Sequence, residues 1–278
     1  MTITLGFILV AILIAIAAGL FGSLLGLGGG LFVVPLLTGV LHVPIHNAIG
    51  ASIVAVIATS STGGSAYLRQ RVANVRLGMT LEMGTVLGAI LGALTTAAAS
   101  PRLLNLVFGV VLLYTGYYMA RGNRGDLVRP PAGTPTPLDF TYHDARENRD
   151  VPYRVRRLPV GLGVGFVAGY VSGILGVGGG LFKVPAMALL MGVPLKVATA
   201  TSTFMIGVTG TAGAFIQYTH RLVDPTLTVP VVLGVIGGAL LGPRVARRLP
   251  VARLRQIFVV VVIIFAAEML LRAATGAA

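Results

Sequence analysis

Two glycine-rich segments contain the residues best suited to chemistry. Residues 26–35 read GLGGGLFVVP and residues 176–185 read GVGGGLFKVP. Consecutive glycines permit positive φ and close approach, so their N–H groups can converge on an anion, and a helix that starts beside them adds unpaired donors and the positive end of its dipole. We therefore expect two anion cradles; the alternative is that the glycines let membrane helices pack closely. The cradle glycines are Gly28, Gly29, Gly30, Gly178, Gly179 and Gly180.

Small hydroxyl side chains follow each glycine-rich segment. Ser52 and Ser202 occupy equivalent positions, and Thr201 precedes Ser202 where the first half has Ala51. A hydroxyl can donate to an oxyanion without the desolvation cost of a fixed charge. We therefore expect Ser52, Thr201 and Ser202 to bind substrate. The alternative is that these hydroxyls bond to their own helix backbone or hold neighbouring helices together.

Lys183 introduces a positive charge into the second glycine-rich segment, where the first segment has Val33. An ionisable side chain inside an apolar run is costly and is therefore a functional candidate. We expect Lys183 to add the one full charge that an anion site would use. The alternative is that its long stem carries the ammonium to the membrane surface.

Two glutamates also lie inside apolar runs. Glu82 is one and a half turns from Arg76, and we expect it to pair near the inner interface, with proton coupling as the alternative role. Glu268 is four residues from Arg272 on one helix face, and an i, i+4 ion pair accounts for it.

The composition is that of a membrane protein. The chain has 278 residues, of which 55% are hydrophobic and 10% charged, and its mean hydropathy is +0.91. These values exclude a typical soluble enzyme and a disordered chain. The chain has no Cys, which excludes thiolate catalysis, and the glycine-rich segments lack the GK[ST] ending of a phosphate-binding loop. We expect an all-α polytopic membrane protein, with no catalytic residues, metal or cofactor.

The apolar runs form two groups separated by a polar interval. Residues 121–157 contain eight Arg and five of the eight acidic residues, which is typical of a solvated linker. We therefore divide the chain into a first membrane repeat (1–120), a cytoplasmic linker (121–157) and a second membrane repeat (158–278). Each repeat has four long apolar runs and one short run, near residues 31–42 and 181–192.

The two groups are copies of one unit. The glycine-rich segments are 150 residues apart, and the same offset relates Pro44 to Pro194 and a series of later glycines without a gap. Two similar halves are the usual construction of secondary transporters, in which the substrate site lies where the halves meet. If each short run crosses, 17 of the 21 basic residues lie on one side of the membrane. The positive-inside rule then favours ten crossings in two inverted repeats, with helices broken at the glycine-rich motifs and the linker inside.

The sequence resembles the TauE/SafE family of membrane transporters. The resemblance covers both halves and rests on the paired motifs 26–35 and 176–185, each followed by a Pro and by Ala51-Ser52 or Thr201-Ser202. It implies a multi-pass carrier that moves small, often sulfur-containing anions, such as sulfite or sulfoacetate, out of the cell. The linker has no counterpart in this resemblance.

The favoured function is therefore a secondary transporter of the cell membrane. It would export a small anion, such as sulfite, sulfoacetate or a similar organosulfur anion, held between two glycine-rich helix starts, by alternating access. An anion channel is the alternative, since the same repeat and cradle could build a pore. Its partners would be the lipid bilayer and the anion, with protons as a candidate coupling ion and no nucleic acid.

Overall fold

The computed structural model describes residues 5–25, 28–121, 137–144, 149–246 and 251–276. Each half contains five helical elements in the same order. The helices of the first half are α1 (Leu5–Leu25), α2 (Gly30–Val40), α3 (Ile45–Arg69), α4 (Val75–Ala98) and α5 (Pro101–Ala120). Those of the second half are α6 (Leu158–Leu175), α7 (Gly180–Pro185), α8 (Leu195–Thr219), α9 (Pro225–Ala246) and α10 (Val251–Thr275). A π-helical segment, Ala186–Leu190, continues α7 without a break.

The chain is an all-α polytopic membrane protein, as predicted. Within the described ranges, α3, α4, α5, α6 and residues 256–275 of α10 are long and apolar enough to cross a membrane. The short elements Gly30–Val40 and Gly180–Leu190 are apolar but only 11 residues long, and such a helix rises about 16 Å. That rise is shorter than the roughly 30 Å of a bilayer's hydrocarbon core.

Backbone geometry repeats between the halves at the offset of 150 residues. Positive φ values occur at matched positions, which are Gly28 with Gly178, Gly29 with Gly179, His42 with Gly192, and Arg71 with Arg221. The prolines before α3 and α8 have φ of −54° in both halves. The sequence repeat is therefore also a repeat of local structure, including the left-handed turns that interrupt the helices.

Two pairs of helices from different halves pack in parallel. In α4, a glycine every four residues lets the backbone approach α6, since a Cβ on any of them would lie within 3 Å of an α6 backbone atom. The contacts are Gly84 with Leu162, Gly88 with Phe166 and Gly92 with Tyr170. The equivalent pair, α1 and α9, has the same arrangement, with Gly234 and Gly238 against Ile12 and Ile16. These repeated glycines therefore serve close helix packing.

The equivalent helices α3 and α8 cross at the centre of the protein and run antiparallel. Along α3 the contacts advance from Ile53 to Ile57 and Ser60, while along α8 they recede from Gly213 to Gly210 and Gly207. The other equivalent pair, α5 and α10, is also antiparallel, since Gly109 lies against Leu270 and Gly116 against Ile263. The central pair α3 and α8 positions the glycine-rich segments.

The end of the linker forms a β-hairpin, which the sequence analysis did not predict. Strand β1 (Phe140–Asp144) pairs antiparallel with β2 (Arg149–Tyr153). The side chains of Tyr142 and Tyr153 are buried in one apolar cluster with Met191 and with Val72 of the α3–α4 loop. The hairpin therefore packs on loops from both halves, and residues 137–144 and 149–157 are not a freely solvated linker. Residues 122–136 and 145–148 lie outside the described ranges.

Candidate functional site

The two glycine-rich segments meet where α3 and α8 cross. A Cβ on Gly28 or on Gly178 would touch the same two side chains, Val56 of α3 and Ile206 of α8. These two residues are 150 apart in sequence and lie near the middle of their helices. Both predicted cradles therefore occupy one place at the centre of the protein.

Hydroxyls of α3 hold the first glycine-rich segment. Ser52 Oγ donates to the carbonyl oxygen of Gly176 at 2.9 Å and to that of Gly30 at 3.3 Å, so it links the segments of the two halves. Thr59 Oγ1 donates to the carbonyl oxygen of Gly28 at 2.8 Å. In this conformation the hydrogen of Ser52, predicted to bind substrate, is used within the protein.

The second segment carries a buried charge network instead. The Lys183 ammonium donates to Thr209 Oγ1 at 2.7 Å and lies 3.4 Å from Glu82 Oε1. The Thr209 hydroxyl is 2.8 and 2.9 Å from the two oxygens of the Glu82 carboxylate. The side chains of Lys183 and Glu82 are only 2% and 4% exposed. The Lys183 side chain therefore does not extend to the membrane surface. Its charge is balanced by that of Glu82, and the Thr209 hydroxyl contacts both groups.

The predicted partner of Glu82 is wrong, while the predicted partner of Glu268 is confirmed. Glu82 was expected to pair near the inner interface, beside Arg76, but its partner is Lys183, which is 101 residues away in sequence. Glu268 does pair with Arg272, at 3.1 Å, so that prediction is confirmed. The network also includes Thr209, which the sequence analysis had not selected. Its equivalence to Thr59 at the offset of 150 residues was the available signal.

The remaining predicted hydroxyls have different environments. Thr201 Oγ1 accepts from the backbone N–H of Asn74 at 2.9 Å and so fixes the start of α4 rather than facing the glycines. Ser202 Oγ is buried and has no hydrogen-bond partner within the described ranges. Its repeat equivalent, Ser52, bonds to Gly176, and the position equivalent to Gly176 is Gly26, which lies outside those ranges.

Other hydroxyls of α3 and α8 line an open groove of about 330 Å³ between these helices. Ser61 and Thr211 donate to the carbonyl four residues earlier in their own helix, and Ser65 donates to the carbonyl three residues earlier. Ser60 instead donates across the pair to the carbonyl of Thr203 at 2.5 Å. These hydroxyls follow the alternative interpretation, in which they bond to backbone and connect helices.

Little space is open beside Lys183 among the residues that the structure describes. The cavity beside Lys183 has a volume of about 10 Å³ and is lined by Leu81, Gly161, Met187 and Met191 among others. That is about the volume that one water molecule requires, and it is too small for an oxyanion. The π-helical segment Ala186–Leu190 forms part of this wall. π-helical turns frequently occur at functional sites, because the helix there departs from regular bonding.

The hairpin connects to this region through Asn74. The Asn74 side chain caps α4 by accepting from the N–H of Leu77, and its amide donates to Tyr153 Oη at 2.9 Å and to the Leu138 carbonyl at 3.0 Å. Burial, the largest influence, raises the pKa of Tyr153 above its ordinary value.

Comparison with known proteins identifies relatives over nearly the whole chain. Residues 11–269 match the family described as Sulfite exporter TauE/SafE. The chain is 27% identical over 269 residues to the probable membrane transporter protein YunE of Bacillus subtilis strain 168, covering 94% of this chain and 96% of YunE. No solved structure matches.

Further relatives have the same description. A probable membrane transporter protein of Xylella fastidiosa strain 9a5c is 29% identical over 253 residues, covering 89% of this chain and 90% of its own. The probable membrane transporter protein YdhB of Bacillus subtilis strain 168 is 24% identical over 239 residues, covering 86% of this chain and 90% of YdhB. The match therefore extends over both halves and the linker end.

Proposed function

Because the chain belongs to the sulfite exporter TauE/SafE family and is thus a membrane transporter, not an enzyme, we propose that it exports a small organosulfur anion or sulfite across the cell membrane. The proposal rests above all on one observation, the meeting of two positive-φ glycine segments at the protein centre beside a buried lysine. Backbone N–H groups and one ammonium are suitable donors for a sulfite or sulfonate group.

In this proposal the anion is held between the two segments. The cradle glycines of both halves contribute N–H groups, except Gly30, whose N–H donates to the Gly28 carbonyl at 2.9 Å; Ser202 contributes a hydroxyl, and Lys183 contributes charge. The N–H groups of Gly178 and Gly179 donate to no carbonyl within the described ranges, which supports a role toward a ligand. Ser52 and Thr201 could bind the anion only after release from their present hydrogen-bond partners, so we propose Ser202 ahead of them as the substrate-binding hydroxyl.

We further propose alternating access in two inverted repeats, with the linker in the cytoplasm. The antiparallel directions of α3 and α8, and of α5 and α10, support inversion, because a two-fold axis along the membrane normal would keep equivalent helices parallel. The closed cavity of about 10 Å³ supports a conformational change, since substrate can reach Lys183 only after the wall moves. Such gating distinguishes a carrier from a continuously open pore.

Reconstituted vesicles test the transport function directly. Purified protein in proteoliposomes is expected to show saturable counterflow of labelled sulfite and sulfoacetate, with no unitary currents. Unitary currents without counterflow would favour the channel alternative. Absence of any sulfite or sulfonate flux, with correctly folded protein, would reject the proposed substrates.

Cysteine labelling tests the topology, since the native chain has no Cys. The variant Thr141→Cys places a thiol on the exposed edge of β1. In intact cells an impermeant maleimide should not label it, while lysed cells should be labelled fully. Labelling in intact cells would place the linker outside and overturn the proposed orientation.

A further inference from the structure

The Lys183–Thr209–Glu82 network is neutral and enclosed, and this constrains how an anion can bind there. The network consists of one cation, one carboxylate and a hydroxyl that joins them, all buried. An anion that approaches Lys183 competes with the carboxylate for the same ammonium. The Lys183 ammonium, the Glu82 carboxylate and the anion would then lie together in one small buried space with a net negative charge. Such a net charge is costly in a medium of low dielectric constant.

On the described helices that pack against α4, no other charged group lies beside the network to offset that surplus. Helix α4 packs against α6 and α8. The 18 residues of α6 include no charged residue. The charged residue of α8 is Lys196, which is 13 residues before Thr209 and lies 5.9 Å from the Tyr142 ring at the hairpin. On α4 itself Arg76 is six residues before Glu82, and α7 contributes only Lys183.

We propose that one proton binds to Glu82 with each transported anion, which makes the protein an anion–proton symporter. This inference rests on the proposed function. As the anion takes the place of the carboxylate at Lys183, the Glu82 carboxylate receives a proton from water on the side from which the anion enters. The resulting carboxyl remains within reach of Thr209. When the anion leaves, Glu82 returns its proton to water on the other side and pairs with Lys183 again. Export by this cycle carries a proton outward with each anion, so it is driven by the outward gradient of the anion.

The charge balance explains why both crossing states are compatible with the membrane. In the empty state Lys183 and Glu82 neutralise each other, and with a monovalent anion Lys183 neutralises the anion while Glu82 is uncharged. With a monovalent anion, neither state moves an unpaired charge through the protein centre, and with a dianion such as sulfoacetate protonation of Glu82 reduces the surplus from two negative charges to one. Thr209 suits both states because its hydroxyl can donate to a carboxylate or accept from a carboxyl group.

The first half does not contain this device. The positions equivalent to Lys183 and Glu82 are Val33 and Val232, and the equivalent of Thr209, Thr59, bonds to the Gly28 carbonyl. The proposal therefore assigns coupling to the second glycine-rich segment and its contact with α4, while the first segment contributes only neutral groups.

The key experiment compares the wild type with Glu82→Gln in proteoliposomes. The probe is labelled sulfoacetate, whose carboxyl and sulfonate groups both stay ionised around neutral pH, so a pH gradient does not change its charge. With the membrane potential clamped at zero, one unit of pH gradient should drive about tenfold accumulation by the wild type on the alkaline side. The glutamine variant cannot bind or release the proton, so it should still exchange sulfoacetate but show no accumulation driven by pH.

The glutamine variant should also respond more strongly to voltage, because with the sulfoacetate dianion each wild-type cycle moves one negative charge and each variant cycle moves two. Glu268→Gln is the matched control, since this carboxylate pairs with Arg272 at a partly exposed site, and it should behave as the wild type. Accumulation driven by pH that persists in Glu82→Gln overturns the proposal. If the wild type transports sulfite and sulfoacetate without any response to pH, the proposed function stands and the coupling is rejected.

A binding measurement keeps the test decisive if Glu82→Gln does not fold. Wild-type protein in weakly buffered detergent solution, mixed with saturating sulfoacetate, should take up about one proton per bound anion, read with a pH-sensitive dye. Anion binding without proton uptake overturns the proposal. A wild type that neither binds nor transports sulfoacetate or sulfite rejects the proposed function itself, and with it the premise of this inference.

Discussion

The two glycine-rich segments have the same backbone but different chemistry around it. In both, the last two φ values before the helix are positive, and Gly28 and Gly178 lie against Val56 and Ile206. In the first half a threonine holds the segment by bonding to the Gly28 carbonyl. In the second half the equivalent threonine, Thr209, bonds to Lys183 and Glu82 instead.

The two copies therefore share their geometry, while only the second carries charge. The first segment is followed by a regular helix to Val40, whereas α7 passes into π-helical bonding after six residues. A neutral, hydroxyl-bonded copy is suited to positioning. The charged copy, beside a less regular helix, is suited to binding and to movement.

The largest expected effect is at the contact between the two segments. Gly30→Ala would place a Cβ 2.5 Å from Val56 Cγ2 and 2.6 Å from the Gly176 carbonyl oxygen. Both segments must then shift, and overpacking of this kind costs roughly 1–3 kcal/mol. We expect at least a tenfold loss of sulfite counterflow, on the order of what 1.4 kcal/mol produces. Gly163→Ala is the control, because a Cβ there meets nothing within 4 Å; equal rates in the two variants would contradict the central site.

The glycines with positive φ should be sensitive in both halves, and more so in the second. A Cβ on Gly179 would lie 2.8 Å from the Ala168 carbonyl oxygen, but one on Gly29 would lie 3.4 Å from that of Ala18. Both substitutions to Ala also strain the backbone. We expect Gly179→Ala to reduce efflux more than Gly29→Ala, with both proteins present in the membrane. Wild-type efflux from both variants would assign these glycines to helix packing alone.

Removal of the lysine charge should weaken anion binding. Lys183→Met keeps the length of the stem and removes the ammonium, and we expect an apparent affinity about tenfold lower, since a charge near an anion contributes more in a site of low dielectric constant. The control is Lys196→Met, which alters the other lysine, at the start of α8. An unchanged dependence of flux on substrate concentration in Lys183→Met would remove Lys183 from the site.

The two equivalent threonines separate transport from stability. Thr209→Val removes the hydroxyl between Lys183 and Glu82, and we expect a several-fold lower turnover, since the ion pair loses its bridge. Thr59→Val removes one bond to a carbonyl, and we expect a loss of about 1 kcal/mol in stability with nearly normal turnover. Thermal unfolding and counterflow on the same samples check this. Equal turnover losses would contradict a functional difference between the segments.

The smallest effect is expected at Ser52. Ser52→Ala should cost about 1 kcal/mol of stability by removing the bond to the Gly176 carbonyl, and it should leave the apparent affinity unchanged. Ser202→Ala should instead lower the affinity, because the Ser202 hydroxyl has no partner within the described ranges. The two variants are each other's control. A loss of affinity in Ser52→Ala at unchanged stability would return Ser52 to the substrate site.

Several features could be predicted because they depend on short stretches of chain. Composition and run length predicted a polytopic all-α membrane protein, and the motif at residues 26–35 and 176–185 placed the family and the breaks in the helices. Positive φ at Gly28 and Gly178 follows from local sterics, since glycine adopts this conformation at little cost. The Glu268–Arg272 pair follows from helical spacing alone.

The tertiary structure decided which distant side chains meet. Adjacent residues on a helix differ in direction by about 100°, so Arg76, six residues before Glu82, lies on a different face of α4, and the rotation and register of the packed helices determine that Glu82 faces Lys183 from the other half. The same holds for the hydrogen bond from Ser52 to Gly176, since these two residues are 124 positions apart in the sequence. The hairpin was missed because its burial depends on an apolar surface assembled from loops of both halves, around Val72 and Met191. The sequence by itself thus determined the class, the repeat and the glycine turns, through local physics. Helix packing decided that the lysine of the second segment meets Glu82 and Thr209, because that outcome depends on contacts that no local pattern contains.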